Sequence, residues 1–396
     1  MTAKRSIVFY LIPIVILIFF SSSLPLSFAS TSVENNVFTH SSTPVKLLYN
    51  ESSNGYNYFG GTTRLLFGDT STGLSAVVLK SGDTKWAKDY HLTIRSAALG
   101  NGLIFVGTEQ GKVFAVNETT GRVAWSFAAA STTTLIFGGG EVFANSIAGY
   151  LYALNASTGV LLWSSTDIQG TSSAPAFSNG VVYDNSATGE EVFAFNATNG
   201  NLIWMSSNLG GESVSSPIVG PSGEHVYEGT SSGWVYALNS SDGALIWSYN
   251  TGVDTYAVLA QRGVLLAANS AFTTLYAFNA TTGSEIWSAQ QVQSFSVTTS
   301  NRLAVLTSDG VINSSDIRTG VSQWQYGPDT YSSGVAPFKT QTLFVTTDNV
   351  LHGLSSKSGS QQFTLPLPGS TSGTYKMLTE GKYLVVTTLS QLYVLT

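Results

Sequence analysis

Short apolar runs separated by polar turns repeat along the chain from about residue 55 to its end. One unit contains TTTLIF (132–137), EVFANS (141–146), YLYALN (150–155) and VLLWSS (160–165). Each run is rich in β-branched and aromatic residues and is bounded by Gly, Asn, Ser or Thr, which predicts four strands that we name A, B, C and D. No segment after residue 30 has a 3.6-residue apolar period with helix caps. The pattern therefore predicts an all-β protein.

A glycine followed four residues later by tryptophan closes each unit. The seven pairs are Gly82/Trp86, Gly121/Trp125, Gly159/Trp163, Gly200/Trp204, Gly243/Trp247, Gly283/Trp287 and Gly320/Trp324, and Phe363 takes the place of tryptophan after Gly359. Six residues before each glycine stands a small residue: Ala76, Ala115, Ala153, Ala194, Ala237, Ala277, Ser314 or Gly353. Successive glycines are 37 to 43 residues apart, a period typical of solenoids and propellers.

The motif [YF]-A-[LVF]-[ND]-x-x-[TN]-G-x-x-x-W resembles the repeat of pyrroloquinoline-quinone-like β-propellers. This tryptophan-docking family includes quinoprotein alcohol dehydrogenases and the outer-membrane protein-assembly propeller of Gram-negative bacteria. The resemblance covers about residues 55 to 396 and implies a single closed β-propeller of four-stranded blades. It also implies that the seven tryptophans dock against the backbone of the adjoining blade near its small residue. Where the family often has Asp four residues before the glycine, this chain has Asn five times and Asp316 once.

The pattern leaves the number of blades at eight or nine. Eight is the common number in the family, but B–C hairpins also occur at 64–79 and 382–396, which gives nine. The last hairpin has no D strand after it. We predict that PVKLLYN (44–50) supplies this strand, so that an N-terminal strand latches the last blade and no sheet edge stays open.

The quinoprotein members hold the quinone on the propeller axis with calcium, a catalytic Asp and typically a vicinal disulfide. This chain has no cysteine, no acidic cluster such as D-x-D-x-D and no HExxH, GxSxG or P-loop motif. Its four histidines, at positions 40, 91, 225 and 352, lack the spacing of metal ligands. We therefore predict no catalytic residue, no metal and no cofactor, and keep the quinone (PQQ) with calcium as the alternative.

In the family that the chain resembles, the segments from each D strand to the next A strand line one mouth of the central channel. The ligand candidates there are Arg95, His91, Asp254, Tyr256 and Glu212. Arg95 comes first because a guanidinium suits bidentate recognition of a carboxylate. The same segments carry Asp167, Gln169, Tyr331, Tyr375 and Lys376. The alternative is that all of these are solvated loop residues.

The first residues have the pattern of a targeting segment. Lys4 and Arg5 precede an apolar run (6–20) and SSSLPLSFAS, which predicts a signal peptide at 1–29. The alternative is an uncleaved N-terminal anchor, which would be the only membrane contact. A short exposed leader (30–43) and the propeller (44–396) follow. We expect a secreted or extracytoplasmic cell-surface protein.

Seven N-x-[ST] sequons agree with export: Asn50, Asn117, Asn155, Asn196, Asn239, Asn279 and Asn313. Five of them, all but the first and last, stand four residues before the repeat glycine. Asparagine also suits a turn because its side chain bonds its own backbone. Glycan acceptor and bare turn residue are therefore both open.

Charge excludes some partners. Only 10% of the residues are charged, and the net charge of −6 has no acidic or basic runs, so neither nucleic acid nor an anionic membrane surface is predicted to bind. So few carboxylates also predict that little stability is lost in acid.

The sequence favours a non-enzymatic, exported, glycosylated propeller that acts as a scaffold for a protein partner at the cell surface or membrane. The first alternative is a quinone-dependent dehydrogenase or its degenerate relative. The second is a module that binds a small molecule or sugar at the axial mouth.

Overall fold

The computed structural model describes residues 47–52, 57–62, 64–69, 72–131, 133–166, 173–186, 190–271, 273–298, 302–368, 375–388 and 391–396. The predicted signal peptide and leader lie outside the described residues, as do residues 44–46 at the start of the propeller. Within the described part, no helix is long and apolar enough to cross a membrane.

The described residues form thirty-six β-strands and no helix. In chain order the first eighteen are β1 (Leu47–Ser52), β2 (Asn57–Gly61), β3 (Leu65–Asp69), β4 (Gly73–Val78), β5 (Thr84–Asp89), β6 (Ile94–Gly100), β7 (Leu103–Thr108), β8 (Lys112–Asn117), β9 (Val123–Ala128), β10 (Thr133–Gly138), β11 (Glu141–Ser146), β12 (Leu151–Asn155), β13 (Leu161–Ser165), β14 (Ala176–Ser178), β15 (Val181–Asn185), β16 (Val192–Asn196), β17 (Leu202–Met205) and β18 (Ile218–Val219). The other eighteen are β19 (His225–Gly229), β20 (Trp234–Asn239), β21 (Leu245–Asn250), β22 (Thr255–Gln261), β23 (Val264–Asn269), β24 (Thr274–Asn279), β25 (Glu285–Gln290), β26 (Val292–Val297), β27 (Arg302–Thr307), β28 (Ile312–Asp316), β29 (Ser322–Tyr326), β30 (Ala336–Phe338), β31 (Gln341–Val345), β32 (Val350–Ser355), β33 (Gln361–Pro366), β34 (Lys376–Glu380), β35 (Tyr383–Thr387) and β36 (Gln391–Leu395).

These strands build nine antiparallel sheets of four strands each, and the sheets are the blades of a β-propeller. Blades 1 to 8 are consecutive strands from β2 to β33, and blade 9 has the order β34-β35-β36-β1. The all-β prediction is confirmed, and of the two open counts the structure has nine. The innermost A strands of most neighbouring blades contact each other, and β34 of blade 9 contacts β2 of blade 1.

The two ends of the ring meet in blade 9. Strand β1 pairs antiparallel with β36, with Leu47 opposite Leu395 and Ser52 opposite Gln391. This confirms the predicted N-terminal latch, although the paired strand lies a few residues later than 44–50. Because β1 covers the open side of β36, blade 9 gains the same four-strand width as the other blades.

Each repeat tryptophan joins its blade to the next. The indole Nε1 donates to a carbonyl in the following C–D turn at 2.6–3.0 Å. The pairs are Trp86 with Glu118, Trp125 with Ala156, Trp163 with Ala197, Trp204 with Ser240, Trp247 with Ala280, Trp287 with Ile317, and Trp324 with Ser356. The ring lies over the glycine of that turn, so close that a Cβ on Gly200 would stand 2.6 Å from Trp163 Cδ2.

The small residue of each unit has a different neighbour from the one that the resemblance implied. Ala153 lies opposite Trp163 of its own blade, and Ala194 opposite Trp204, as cross-strand partners. The tryptophan of the preceding blade instead covers the repeat glycine. The small side chain therefore leaves room beside the blade's own indole.

The connections between strands fall on two faces of the ring. The even face holds the A–B and C–D turns, and every C–D turn from blade 1 to blade 8 spans five residues, as in 156–160 and 197–201. The variable face holds the B–C and D–A loops, which range from the single residue 291 to the segment 206–217. The A–B turns vary only from two residues, as in 101–102, to the five of 220–224, so the largest variation in length is on the variable face.

The glycine under the docked indole predicts a specific stability effect. Gly200→Ala should destabilise the protein by about 2–4 kcal/mol, because φ is +73° and the new methyl group overlaps Trp163. Gly180→Ala is the matched control: φ is +78°, but no atom lies within 4 Å of the position of its Cβ, so about 1 kcal/mol is expected. Urea unfolding midpoints would measure both, and equal losses would show that the indole contact contributes nothing.

Candidate functional site

The ligand candidate Arg95 lies in β6 at the variable face of blade 2. Its side chain is 16% exposed, and Nη1 lies 3.8 Å from Oε1 of Glu109 in the B–C turn of the same blade. The guanidinium is therefore partly compensated within its own blade. Such a partly exposed pair contributes little to stability, so Arg95 could exchange Glu109 for a ligand carboxylate at small cost.

His91 is exposed in the loop before β6. It has a positive φ of 56°, its N–H donates to Asp89 Oδ1 at 2.8 Å, and its Nδ1 lies 3.2 Å from Asp89 Oδ2. The backbone hydrogen bond from His91 lowers the pKa of the Asp89 carboxyl. His91 and Asp89 thus form a local turn on the protein surface.

The other three ligand candidates belong to blades 5 and 6. Glu212 is exposed and its carbonyl accepts from the N–H of Ser231, while the carbonyl of Asp254 accepts from Ser270. Burial raises the pKa of the half-buried Tyr256, and the charge of Asp254 raises it further. The structure brings Asp254 and Tyr256 together, but places them on different blades from Arg95. A shared ligand site for all five stays a prediction.

The remaining residues predicted in the segments between a D strand and the next A strand join neighbouring blades. Tyr331 donates its hydroxyl to the carbonyl of Gly310 at 3.1 Å, and the buried Tyr375 donates to Asn349 Oδ1 at 2.9 Å. Burial lowers the pKa of the Lys376 ammonium, and the charge of Asp69 opposes this. Asp167 and Gln169 lie outside the described residues.

A buried chain of amides and acids connects blades 3, 4 and 5, and sequence reasoning missed it. Asn145 on β11 donates through Nδ2 to the carbonyl of Ser173 at 2.6 Å and to Asp184 Oδ1 at 3.0 Å. Asn185 on β15 repeats this toward the next blade, with the carbonyl of Ser215 at 2.5 Å and Glu228 Oε1 at 3.4 Å.

The two acids of this chain occupy the same position of successive B strands, next to the asparagine positions. Asn145, Asp184, Asn185 and Glu228 are all completely buried, and Ser173 Oγ donates to Asn185 Oδ1 at 2.7 Å. Neutral amides, backbone N–H groups and hydroxyls are the partners of these carboxyls. These buried amides and acids therefore form a structural link between blades, and solvent does not reach this link.

Burial controls the protonation of both acids. Loss of solvent raises the pKa of Asp184 to about 7, although hydrogen bonds from Asn145 and Asn185 oppose the change. Burial also raises the pKa of Glu228 well above its ordinary value, and the neighbouring Asp184 raises it further. A carboxyl that is buried without a cation is most stable as the neutral acid.

The sequence contained a sign of these buried amides and acids. The B strands VVYDN (181–185) and HVYEG (225–229) place an acid directly after the last aromatic residue, inside an apolar run. An acid in a strand that is covered on both faces must find a partner in the adjoining blade. Strand assignment alone did not show which blade supplies it.

Comparison with known proteins gives the family. The sequence profile of the family described as outer membrane protein assembly factor BamB matches residues 70–207, 109–259 and 251–375. The three matches overlap and cover most of the chain. The chain belongs to this family. None of the curated proteins matches the chain in sequence.

Solved structures show the same fold as this BamB family member at low identity. BamB from Moraxella catarrhalis has a TM-score of 0.56 and 14% identity, over 89% of this chain and 100% of its own. The computationally designed Ika8 protein has a TM-score of 0.54 and 15% identity, over 76% and 96%. A europium-containing methanol dehydrogenase has a TM-score of 0.52 and 12% identity, over 89% and 93%. At these identities the likeness concerns the fold alone.

The described residues of this BamB family member lack the cluster of ligands that a calcium ion, the metal kept as an alternative above, would need. Calcium binds six to eight oxygens that usually include several carboxylates. In the described part of the chain, no three His, Asp or Glu side chains converge as metal ligands. The fully buried pair Asp184 and Glu228 is occupied by asparagine amides from two different blades. No reaction step follows from such a donor set.

The buried acids predict an unusual dependence of stability on pH. The folded chain keeps protons on Asp184 and Glu228 that the unfolded chain releases near pH 4, so the free energy of unfolding should fall as pH rises from about 4 through about 7. Each unit of pKa difference corresponds to about 1.4 kcal/mol. Glu380, whose pKa burial raises to about 7, acts in the same direction.

Asp184→Asn imitates the protonated acid and should reduce this slope, as measured by chemical denaturation at several pH values. Asp89→Asn is the control, because this carboxyl is exposed and its pKa is lowered. The interpretation is wrong if the wild-type protein is as stable at about pH 8 as at about pH 5.

Proposed function

We propose that this BamB family member is an exported, glycosylated, non-enzymatic scaffold that binds a protein partner at or outside the cell surface through its variable face. The observation that carries the proposal is the difference between the two faces. No turn on the even face exceeds five residues, while the variable face carries longer segments such as 206–217 and 327–335. Binding residues concentrate on loops that a rigid scaffold positions.

The side chains of the variable face support this proposal. Ile147 in blade 3 is 53% exposed there, Met205 in blade 4 is 54% exposed, and Val253 in the loop after blade 5 is 48% exposed. The exposed polar residues His91 and Glu212 stand in loops of the same face. Apolar side chains surrounded by polar ones are the usual composition of a protein interface.

The titratable groups also favour binding over catalysis. Two of the acids with strongly raised pKa values, Asp184 and Glu228, are completely buried between blades. A catalytic acid must reach its substrate within hydrogen-bonding distance. These groups therefore support a structural role.

Crosslinking in native membranes or culture fluid, followed by mass spectrometry, tests the proposal. A recurrent protein partner attached to residues of the variable face is expected. Ile147→Lys and Val253→Lys should abolish these crosslinks, because each buries a charge in the interface. Val321→Lys is the control, since Val321 is 58% exposed on the even face of blade 7. Recovery of uncrosslinked monomer would contradict the scaffold.

The same purified protein tests the dehydrogenase alternative. A ligand that binds the folded state raises the melting temperature by mass action. We expect no change at saturating quinone and calcium, and no turnover of alcohols with an electron acceptor. Either effect would replace the scaffold with a quinone-dependent enzyme.

A further inference from the structure

The five turn sequons present an unused amide nitrogen. In the C–D turns of blades 2 to 6 the side-chain Oδ1 of the asparagine accepts the N–H of the residue two positions later, at 2.8–3.1 Å. The asparagines are Asn117, Asn155, Asn196, Asn239 and Asn279. The side-chain Nδ2, which carries the sugar in an N-linked glycan, makes no hydrogen bond to another described residue in any of the five turns.

Each of these asparagines lies beside the start of a D strand. The N–H of Asn155 donates to the carbonyl of Val160 at 2.9 Å, and the next two residues are Leu161 and Leu162. These leucines are 42% and 44% exposed, because D is the outermost strand of the blade. The other four hairpins repeat the same backbone hydrogen bond. An apolar pair therefore follows the amide at fixed register.

Apolar residues occupy this pair of positions only where the turn has a sequon. We define the apolar rim as the residues six and seven positions after the five turn asparagines. They are Val123, Ala124, Leu161, Leu162, Leu202, Ile203, Leu245, Ile246, Glu285 and Ile286, of which nine are apolar. The same positions in blades 1, 7 and 8 are Thr84, Lys85, Ser322, Gln323, Gln361 and Gln362, of which none is apolar.

The turn itself does not require the apolar pair. In blade 7, Asp316 Oδ1 accepts the N–H groups of Arg318 and Thr319 at 2.9 and 3.2 Å, as four of the five asparagines do in their turns. A carboxylate thus builds the same turn without a glycan acceptor, and there the following pair is Ser322 and Gln323. If asparagine served only the turn, the split between apolar and polar pairs would have no cause.

The apolar rim lies on open sheet edges. An outermost strand presents unpaired N–H and C=O groups, and apolar side chains on it favour pairing with another chain. Leu202 and Leu245 are 53% and 55% exposed on such edges. A groove of about 420 Å³ runs along β17 from Asn201, opposite Asn196, to Met205.

We propose that the five turn asparagines carry N-linked oligosaccharides whose first sugars cover the apolar rim and keep the D strands from pairing with a second copy of the chain. The proposal rests on the export and glycosylation proposed above, and adds which sites are used and what the sugar does. A glycan is bulky and solubilising, and the fixed register places it over the exposed leucine and isoleucine side chains.

The modification is a simple substitution at nitrogen. The Nδ2 atom forms a bond to the anomeric carbon of an oligosaccharide that is carried on a lipid phosphate. The bond between that carbon and the phosphate oxygen breaks, the phosphate leaves with the bonding electrons, and the amide loses one proton.

Asn313 serves as an internal contrast. It lies within β28, and the hydroxyl residue of its sequon, Ser315, is only 7% exposed. We expect no glycan there in the folded protein. Glycopeptide mass spectrometry of the protein from its source cells should find sugar at the five turn asparagines and none at Asn313.

Paired variants in blades 3 and 4 test the covering role. Asn155→Asp with Asn196→Asp removes two acceptors and keeps the turn oxygen, as Asp316 shows. Ser157→Ala with Thr198→Ala removes the same sequons and leaves both asparagines. Each pair should tighten self-association in sedimentation experiments at least about tenfold, or about 1.4 kcal/mol. Replacing Leu161, Leu162, Leu202 and Ile203 by Gln, as in blade 8, should restore the monomer.

The outcomes separate the two proposals. Absence of sugar from all five sites would overturn the glycosylation in the proposed function and this inference with it. Sugar at the five sites, with variants that stay monomeric, would overturn only the covering role. Sugar together with association that the Gln replacements reverse would support both.

Discussion

The structure depends on one contact that recurs from blade 1 to blade 8, the indole of one blade on the C–D turn of the next. Its hydrogen bond ends on a backbone carbonyl, so it does not depend on the identity of the side chain at that position, which is Glu, Ala, Ser or Ile in different blades. The indole ring requires a glycine beneath it, and that glycine also has the positive φ that the turn needs. A single residue type thus satisfies the turn and the junction, which explains why glycine and tryptophan keep a fixed spacing while the loops vary.

Much of the architecture could be predicted because it is local. Four strands, a five-residue turn and a glycine four residues before a tryptophan all lie within one unit, and the missing D strand of the last unit indicated where the N-terminal strand must pair. Contacts between blades were harder to predict from the sequence. The small residue was expected beside the neighbouring indole, but cross-strand register places it opposite the indole of its own blade. Asp184 and Glu228 were missed for the same reason, since their partners lie about forty residues away in other blades.

The low charge of the protein has a structural counterpart inside the ring. The buried carboxyls accept hydrogen bonds from asparagine amides. Tyr331 and Tyr375 donate their hydroxyls to carbonyl oxygens of the neighbouring blade. Neutral hydrogen bonds in a dry interior need no compensating cation and do not weaken when salt is added. A ring held in this way keeps its internal contacts at variable ionic strength, and it is most stable in acid, where the buried carboxyls are protonated.

The closure of the ring in blade 9 also determines how the protein responds to force. Leu47 and Leu395 form the outermost pair of the β1–β36 seam, so both ends of the described chain leave the seam at the same side. The hydrogen bonds of an antiparallel pair are perpendicular to the strands. Tension between the ends would therefore load these bonds one pair after another, as in opening a zipper, and would not shear them together. The seam that completes the ring is thus its weakest point under mechanical load, and opening it would release β1 and leave the other eight blades with all their strands paired.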